Sequence, residues 1–559
     1  MTEEDPLLIP DHTCWRLEEA DHLAFLVDGE AYFDAFRKSI LNARHSIMIL
    51  GWDIDSRLRL VRDEPNDGYP AELGPLLNTV IQQNPDLHAH ILSWDFAMIY
   101  ALEREWLPLF KLNWRTHRRI SFHMHNQLPT GASFHQKVVV IDDCLAFIGG
   151  FDLGKWRWDT SEHQPDDPQR TDPDGDSYPP FHDVQALVTG PAAAALGDLA
   201  RMHWYHATGK RLRPPAPRQS HDCWPAGVVP DMEDVTVGIA RTQPAFGDMP
   251  ERRESEKLYL EGIRRARDAI YIENQYLTSH SIGVALIERL QQQDGPDIVL
   301  ILPFQTGGWL EQNTMDVLRA RMLKRLRHAD QHGRLRTWYP HIPLPDGQTL
   351  AVHSKIMVVD DWLLRVGSSN TSNRSMGLDT ECDLAIEAQN DQTAAVISGF
   401  RNRLLAEHLD CTPEAVADAV DNCGSLIDAI ESLRGNERSL RELDGFLDPD
   451  LDALIPQSQL IDPEHPMDAE MLTDQFINHD ERRLAGSQLL VGGLILLGLM
   501  LLAAAWRWTP LGEWLDLQRI VSAIDLLKQQ PLTPLLVLAA FVIAGFLIIP
   551  VTLLVVACA

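Results

Sequence analysis

Two features are missing from this sequence, and each absence excludes a class of protein. The 559 residues contain seven cysteines, an odd number, and no CxxC pair. This is unlike the paired cysteines of a small disulfide-stabilised secreted domain, so we expect reduced thiols in a cytoplasmic compartment. The first ten residues, MTEEDPLLIP, lack the basic region and apolar stretch of a secretory signal peptide.

Positive charge is also scarce. The chain has 49 Lys and Arg against 80 Asp and Glu, a formal net charge of -31. Phosphate backbones are bound through fields of Lys and Arg, so this balance argues against nucleic acid as a main partner. A local basic cleft can still exist in an acidic protein.

The stretch FHQKVVVIDD at 134–143 combines polar residues with a buried strand. Four consecutive apolar residues rich in Val predict a strand covered on both faces. Side chains alternate along a strand, so His135 and Lys137 point to the same side, and Asp142 points away from them. A strand that surfaces at its first turn with two solvated residues would explain a single copy of this pattern.

The pattern occurs twice, which that simple explanation does not cover. At 352–361 the chain reads VHSKIMVVDD, with His353, Lys355 and Asp360 at the same spacing. Six residues after the aspartate, the first copy continues as GGFD and the second as GSSN. The repeat therefore indicates two related strand-and-turn units.

The repeat extends beyond the two motifs. Residues 31–54 and 256–276 both predict an amphipathic helix followed by a buried strand, with an Ala-Arg pair just before that strand. Alternating helices and strands predict an α/β sandwich in each half. Two similar α/β halves in one chain indicate a pseudo-dimer with one site at the seam, as an isologous contact would give.

The predicted domains follow from this repeat and from changes in composition. Residues 159–181 are rich in Pro and Asp and predict a loop inserted in the first half. The predicted boundaries are a first half at 1–213, a linker at 214–234, a second half at 235–410, an acidic helical linker at 411–487 and a transmembrane region at 488–559.

The C-terminal part is markedly apolar. Residues 489–505 carry no charge and predict a membrane span, because a buried core helix is rarely apolar on every face. Residues 511–530 predict a helix along the membrane surface, or one packed on a membrane domain. The apolar run from 534 to 559 is interrupted by Pro550, which favours a broken segment. We expect the chain to be the front of a longer protein.

Together, the two H-x-K strands would hold two histidines, two lysines and an asparagine. Two ammonium groups form a cationic hole suited to a phosphodiester. A histidine near neutral pH can act as nucleophile or proton donor. A lysine beside each histidine repels a cation, so the pattern predicts no metal and no required cofactor.

The paired motifs fit the H-x-K-x4-D-x6-G-[GS] signature of the phospholipase D superfamily. The sequence resembles most closely the eukaryotic type of phospholipase D, over roughly residues 20–410. The resemblance rests on four further stretches, namely IYIENQY at 270–276, GGFDLGKWRWD at 149–159, FHDVQALVTGPAA at 181–193 and GSSNTSNRSMGLDTECD at 367–383. A doubled signature with matching flanks is more specific than one short motif.

The resemblance implies a role for each motif residue. His135 would be the nucleophile that forms a phosphohistidine, and His353 the general acid and then the base. The residues implied to hold phosphoryl oxygens are Lys137, Lys355 and Asn370. The acids implied to orient the histidines are Asp183 for His353 and Glu381 for His135.

The remaining assignments concern the flanking positions. Asp152, Ser368 and Gly150 are further predicted substrate-binding positions, although the superfamily often has Asn where this chain has Asp152. Strand parity makes Asp142 and Asp360 structural.

Other residues admit two interpretations. The i, i+2 histidine pairs on predicted strands could bind a metal, but satisfied or solvated histidines are the commoner case; these are His88 with His90 and His123 with His125. Three tryptophans near the predicted mouth could line a lipid groove or pack in the core, namely Trp52, Trp156 and Trp158.

The segment IAGFLIIPVTLLVVACA at 543–559 resembles the beginning of the DedA-like (VTT, SNARE-associated) membrane domain. With the predicted span, this implies a multi-pass protein of the inner cell membrane whose catalytic part is cytoplasmic.

The leading hypothesis for function is a membrane-attached phospholipase D or transphosphatidylase. It would cleave the distal phosphodiester of glycerophospholipids to phosphatidate, or transfer the phosphatidyl group to an alcohol. The predicted partners are a phospholipid membrane and water or a small alcohol, with no nucleic acid and no obligate protein partner. The alternatives are a cardiolipin synthase-like transferase, a nucleic-acid phosphodiesterase, and a lipid transport or scaffold protein.

Overall fold

The computed structural model describes residues 5–95, 116–307, 309–344, 349–445 and 461–466. All of them belong to a compact unit that spans Met1–Met467. Among these described residues, no helix is both long and apolar enough to cross a bilayer. The membrane segments predicted at 489–505, 511–530 and 534–559 lie outside the described residues, and so does the segment that resembles a DedA-like domain.

The strands lie in two stretches separated by the link between the halves. Those of the first half are β1 (Arg16–Val27), β2 (Ser46–Gly51), β3 (His88–Trp94), β4 (Ile120–His125), β5 (Val138–Ile141), β6 (Leu145–Gly149), β7 (Phe181–His182) and β8 (Val184–Thr189). Those of the second half are β9 (Met232–Gln243), β10 (Arg252–Arg253), β11 (Ala269–Glu273), β12 (Asp297–Ile301), β13 (Leu335–His341), β14 (Ala351–Val352), β15 (Ile356–Val359), β16 (Leu363–Gly367), β17 (Glu381–Glu387) and β18 (Ser439–Glu442).

The helices of the described residues alternate with these strands. They are α1 (Asp28–Leu41), α2 (Leu73–Gln83), α3 (Pro191–Thr208), α4 (Ser220–Cys223), α5 (Glu254–Arg265), α6 (His280–Gln291), α7 (Trp309–Ala329), α8 (Asp391–Leu409), α9 (Pro413–Cys423) and α10 (Leu426–Leu433), with a π-helical turn at Arg374–Leu378. Helices α8 and α9 start with ordinary capping chemistry: Asn390 accepts a hydrogen bond from Thr393 N, and Thr412 precedes Pro413 at the first turn of α9.

Most strands join in one mixed sheet with a mirrored order. From the centre outwards, the first half runs β1-β8-β6-β5-β2-β3-β4 and the second runs β9-β17-β16-β15-β11-β12-β13. The directions match as well, because the outer pairs β2–β3 and β11–β12 are parallel and the inner pairs are antiparallel. The antiparallel pair β1–β9 joins the two halves. The chain therefore has the mixed α/β fold that the alternating pattern predicts.

The buried strands of the two motifs form the middle of each half. Val138–Ile141 and Ile356–Val359 are buried at every position, as continuous apolar runs predict for strands covered on both faces. One apolar core fills each half, and a third core includes residues of both halves, among them Val140, Val237 and Val358. The predicted loop at 159–181 has no helix and enters a strand only at its last residue.

The prediction that all cysteines are reduced is wrong for one pair. Cys144 lies in the turn between β5 and β6 and forms a disulfide with Cys223 at the end of α4. The two residues are 79 positions apart, and α4 belongs to the predicted linker at 214–234. Spacing alone gave no sign that this linker folds back onto the first motif.

The predicted acidic linker also differs from the expectation where the structure describes it. Helices α9 and α10 pack their apolar residues, such as Val416 and Ile430, into the shared core. Strand β18 then pairs with β13 and extends the sheet. The stretch to residue 445 is thus part of the second half's fold, because its helical pattern carries an apolar face that needs a partner.

Candidate active site

Both motif histidines lie where the two halves meet. Phe134 forms an isolated strand bridge with Thr380 of the second half, and His135 N donates to Thr380 O at 3.1 Å. In the mirrored arrangement, the short strand β14 pairs with β7, and His353 N donates to His182 O at 2.8 Å. Each histidine backbone is therefore fixed by the half to which it does not belong.

The orienting carboxylates are exchanged in the same way. His135 Nδ1 lies 3.0 Å from Glu381 of the second half, and His353 Nδ1 lies 2.6 Å from Asp183 of the first half. The histidine side chains are 15% and 11% exposed, while both carboxylates are fully buried. Held at Nδ1, each ring keeps Nε2 for chemistry. The structure thus brings together the two pairs that the resemblance implied; their catalytic roles stay predictions.

The two motif lysines have different partners. Lys137 Nζ forms an ion pair with Asp152 Oδ2 at 3.0 Å and donates to His135 O at 2.9 Å. Lys355 Nζ donates to His353 O, and no carboxylate forms an ion pair with it among the described residues. At the position that matches Asp152 the second half has Asn370, which is 4% exposed. Its Oδ1 is buried without a hydrogen-bond partner in the described part of the chain.

Asp152 has a local role besides its contact with Lys137. Its Oδ1 accepts hydrogen bonds from Trp52 N at 2.8 Å and Asp53 N at 3.2 Å, which fixes the turn after β2. Burial opposes ionisation of this carboxyl, but the charges of Lys137, Arg157 and His135 and the hydrogen bond from Lys137 together outweigh it, so that the pKa of Asp152 lies below its usual value. The predicted substrate-binding role for Asp152 therefore competes with two contacts that the structure shows.

The positions Gly150 and Ser368 support the carboxylates. A Cβ at Gly150 would lie 2.0 Å from Asp183 Oδ1, so only glycine leaves room for that carboxylate. Ser368 Oγ is completely buried and donates to Glu381 Oε2 at 2.5 Å. Ser375, which sequence reasoning missed, donates to Glu381 Oε1 at 2.7 Å. Gly150 and Ser368 were predicted to bind substrate; the structure places both beside the orienting acids, and the substrate-binding role stays a prediction.

Burial dominates the electrostatics of the site. It lowers the pKa of His135 and of His353 well below the usual value, and the neighbouring lysines act in the same direction. It raises the pKa of Asp183 to about 6 and that of Glu381 to about 8. It also lowers the pKa of Lys355 to about 7, against the opposing influence of Asp183. Without a bound anion, the site therefore favours neutral groups at the histidines.

The two motif aspartates are structural, as strand parity predicted. Asp142 accepts hydrogen bonds from the backbone N–H groups of Arg44, His45 and Ser46 at 2.7–2.8 Å. Asp360 accepts from the three backbone N–H groups of residues 267–269 at 2.7–3.0 Å. Each motif aspartate therefore fixes the start of the neighbouring strand.

A cation that the sequence reasoning missed also lies near the site. The Arg157 guanidinium carbon lies 4.8 Å from the centre of the ring of Phe181, which begins β7. Its charge contributes to the lowered pKa of His353. The only sequence signal was a basic residue between the two tryptophans of the stretch at 149–159.

The other candidate residues divide between core and surface. Trp158 is buried and Trp156 is 37% exposed, while Trp52 stacks on Trp94 with ring centroids 5.7 Å apart. None of the four histidines on β3 and β4 joins a cluster of metal-ligating groups in the described residues. Burial lowers the pKa of His90 and of His125 to about 4, which agrees with neutral, packed rings.

Comparison with known proteins places a domain of this type in each half. Residues 39–223 match the family model described as phospholipase D. Residues 259–404 match the model described as cardiolipin synthase, PLD-like domain. The comparisons give no support for the DedA-like membrane domain.

Several known proteins are similar over most of the chain. Phospholipase D alpha 1 of Carica papaya is 23% identical, covering 71% of this chain and 64% of that protein. Phospholipase D A of Dictyostelium discoideum is 25% identical, covering 71% of this chain and 36% of that protein. Among solved structures, phosphatidylserine synthase of Haemophilus influenzae aligns with a TM-score of 0.48 at 14% identity, covering 73% of this chain and 95% of that one.

The alignment thus spans about two thirds or less of these phospholipases D. The match of both halves to related domain models, with the doubled motif at the seam, identifies the family. The chain belongs to the phospholipase D superfamily.

Proposed function

We propose that the protein is a phospholipase D-type phosphodiesterase that cleaves the distal phosphodiester of glycerophospholipids through a phosphohistidine. The observation that carries the proposal is the exchanged pairing at the seam, where each motif histidine is held by a carboxylate of the other half. The domain matches and the relatives named phospholipase D support the same activity.

The first step uses His135 as nucleophile. With Nδ1 held by Glu381, Nε2 carries the lone pair that attacks phosphorus, and a P–N bond forms as the bond to the headgroup oxygen breaks. His353 Nε2 donates a proton to the departing alkoxide, which leaves as the free headgroup alcohol. Because burial lowers the pKa of His353, the bound anionic diester must help to keep that proton in place.

The second step reverses the roles. The now neutral His353 removes a proton from water or an alcohol, whose oxygen attacks phosphorus and breaks the P–N bond. The product is phosphatidate with water, or a phosphatidyl alcohol with an alcohol. Lys137, Lys355 and Asn370 are the groups of the motifs that would stabilise the phosphoryl oxygens.

The test is a product assay on the full chain in phosphatidylcholine vesicles, with and without ethanol. Mass spectrometry should find phosphatidate alone without ethanol, and a growing share of phosphatidylethanol as ethanol is added. Headgroup release should stay nearly constant if formation of the intermediate is slow. A failure of ethanol to enter the product at any concentration, together with failure to trap a phosphohistidine at His135, would rule out the covalent route.

A second candidate is transfer to a lipid alcohol, as in a cardiolipin synthase. The observation that favours it is the description of the model that matches the second half. Vesicles of phosphatidylglycerol distinguish the two: a transferase forms cardiolipin and free glycerol, whereas a hydrolase forms phosphatidate and glycerol. Attachment to a membrane through the C-terminal apolar segments remains part of the proposal, and it is tested by whether the full chain sediments with membranes after a high-salt wash.

A further inference from the structure

A second cluster of titratable side chains lies beside the active site, and the proposed reaction does not use it. Its members are Asp28, His163, His182 and Glu407, and the first three are at most 1% exposed. His182 directly precedes Asp183, the acid that holds His353. The cluster is therefore adjacent to a catalytic group in the sequence but shares no residue with the proposed catalytic set.

The four side chains converge on one point. His182 Nδ1 lies 3.0 Å from Asp28 Oδ1 and 2.9 Å from Glu407 Oε1. His163 Nε2 lies 3.0 Å from Glu407 Oε1 and 3.7 Å from Asp28 Oδ2. Ligands about 2.0–2.1 Å from a tetrahedral zinc ion are about 3.3 Å from one another. The observed separations lie on both sides of that value.

The opposite nitrogen of each histidine is also held. His163 Nδ1 lies 2.8 Å from Asp159 Oδ2, and His182 Nε2 lies 3.1 Å from Glu273 Oε2. Histidines that bind a metal almost always donate their other N–H to such a carboxylate, which fixes the tautomer and leaves the lone pair for the ion. A bare ion-pair cluster does not require both rings to be held in this way.

The contacts at the centre of the cluster are shared among all four groups. The single Nδ1–H of His182 faces two carboxylates, and Glu407 Oε1 faces two ring nitrogens. One N–H donates fully to one acceptor, whereas a metal ion accepts a lone pair from all four groups at once. Asp28 supplies its carboxylate from a backbone φ of 65°, in the left-handed region, so the fold accepts some strain to place it there.

We propose that Asp28, His163, His182 and Glu407 bind one divalent transition-metal ion, with zinc as the reference ion. Two imidazoles and two carboxylates suit zinc and its neighbours, whereas calcium and magnesium prefer oxygen ligands throughout. The ion would be structural, because the motif lysines and both catalytic histidines lie outside the ligand set.

The proposed site would join four separate parts of the chain. Asp28 begins α1, His163 lies in the Pro- and Asp-rich insertion, His182 ends β7, and Glu407 comes from α8 of the second half. A metal ion here would hold the insertion in place and fix His182, the residue directly before Asp183. The inference stands without the proposed function, since it concerns binding and not turnover.

The test begins with the metal itself. The full chain, purified without chelators, is analysed by inductively coupled plasma mass spectrometry; it is then stripped with a chelator and titrated with Zn²⁺ and with Co²⁺. We expect one ion per chain, a lower Tm after stripping that Zn²⁺ restores, and the intense visible bands of tetrahedral Co²⁺. A stripped, folded chain that binds neither ion at a ratio of one to one would overturn the proposal and leave a protonated hydrogen-bonded network.

Variants locate the ion. His163→Ala and Glu407→Gln should each lower the affinity for Zn²⁺ at least tenfold, and Glu407→Gln keeps the shape of the side chain in case the alanine variant does not fold. His123→Ala removes a histidine of β4 outside the cluster and should bind zinc as the unaltered chain does. Equal zinc affinity in Glu407→Gln and the unaltered chain would place the ion elsewhere and contradict the assignment.

Discussion

The two halves share a topology but treat their lysines differently. In the first half Lys137 is neutralised by Asp152 at 3.0 Å, and Asp152 also fixes the turn after β2. In the second half Asn370 stands at the position that matches Asp152, and the Oδ1 of that amide has no hydrogen-bond partner in the described residues. Of the two motif lysines, only Lys355 therefore lacks a carboxylate ion pair in the described residues.

The two copies of the motif look alike in sequence, but this difference gives the two lysines different roles, one structural and one chemical. A charge-balanced first half can be rigid without substrate, whereas the unbalanced second half gains its counter-charge only when an anionic phosphate binds. The low pKa of Lys355, which burial brings to about 7, is the physical sign of that missing partner. The predictions below test how far the two halves differ in function.

The largest effect is expected at the histidines. His135→Ala and His353→Ala should each reduce kcat by about 10³-fold or more with natural lipids, because the two groups act as a unit. A diester with a p-nitrophenol leaving group needs no proton for departure, so His353→Ala should release a burst of about one p-nitrophenol per site as the phosphohistidine forms, whereas His135→Ala should release none. Release of p-nitrophenol measures this directly.

Circular dichroism controls for folding in both variants. An equal burst from the two histidine variants with the activated diester would show that the assignment of nucleophile and acid is wrong. More than a few per cent of the original activity on natural lipid in either variant would remove the two-histidine mechanism.

The exchanged carboxylates should give the next largest effect. Glu381→Gln and Asp183→Asn keep the shape of each side chain but cannot become anions to stabilise the ring when it is protonated, so kcat should fall about 10²- to 10⁴-fold with little change in KM. Glu381→Gln keeps Ser368 and Ser375 as neighbours, and Ser375→Ala is the matched milder control. Steady-state kinetics on short-chain lipids supply both constants; a rise in KM at constant kcat would indicate substrate binding instead.

The third prediction concerns the difference between the lysines. Because Lys355 loses its charge as pH rises through about 7 in the free enzyme, kcat/KM should fall above that pH. Asn370→Asp supplies a carboxylate that favours the charged lysine, so this limb should move upward by about one pH unit or more, while KM rises as the cationic hole is neutralised. Profiles of kcat/KM from pH 5 to 9 measure both effects.

The reciprocal variant Asp152→Asn is the matched control. It changes the partner of Lys137 and leaves the surroundings of Lys355 unaltered, so the alkaline limb should stay near its original pH. An identical shift of that limb in the two variants would mean that another group, and not Lys355, sets it.

Much of this site could be predicted from the sequence because the motif is doubled. Strand parity put His135 and Lys137 on one side and Asp142 on the other; in the structure Lys137 donates to His135 O, and Asp142 binds the backbone of residues 44–46. The exchange of Asp183 and Glu381 came from family resemblance, since contacts between residues 170 or 246 positions apart leave no periodic signal.

Other features could not be predicted from the sequence, and each has a physical reason. The contacts of Ser368 depend on a carboxylate that approaches from a neighbouring strand. The Cys144–Cys223 disulfide depends on how a Pro-rich linker folds back. Residues 411–445 pack onto the second half through short apolar helix faces, and such short faces are hard to recognise in a sequence of acidic composition.

The smallest effect on activity, and a clear effect on stability, is expected at the structural aspartates. Asp142 is buried, accepts three backbone hydrogen bonds and pairs with Arg218 at 2.6 Å. Asp142→Asn should therefore lower the free energy of unfolding by about 3 kcal/mol, since it leaves a nearly buried guanidinium unpaired. Asp360 lacks an arginine partner among the described residues, and Asp360→Asn should lower the free energy of unfolding by only about 1–2 kcal/mol.

Urea denaturation measures both values, and kcat per folded molecule should stay within about twofold because neither side chain faces the histidines. A loss of kcat in a fully folded Asp142→Asn protein would show that this carboxylate acts on the chemistry after all, and that the parity argument fails at the point where the two motifs are most alike.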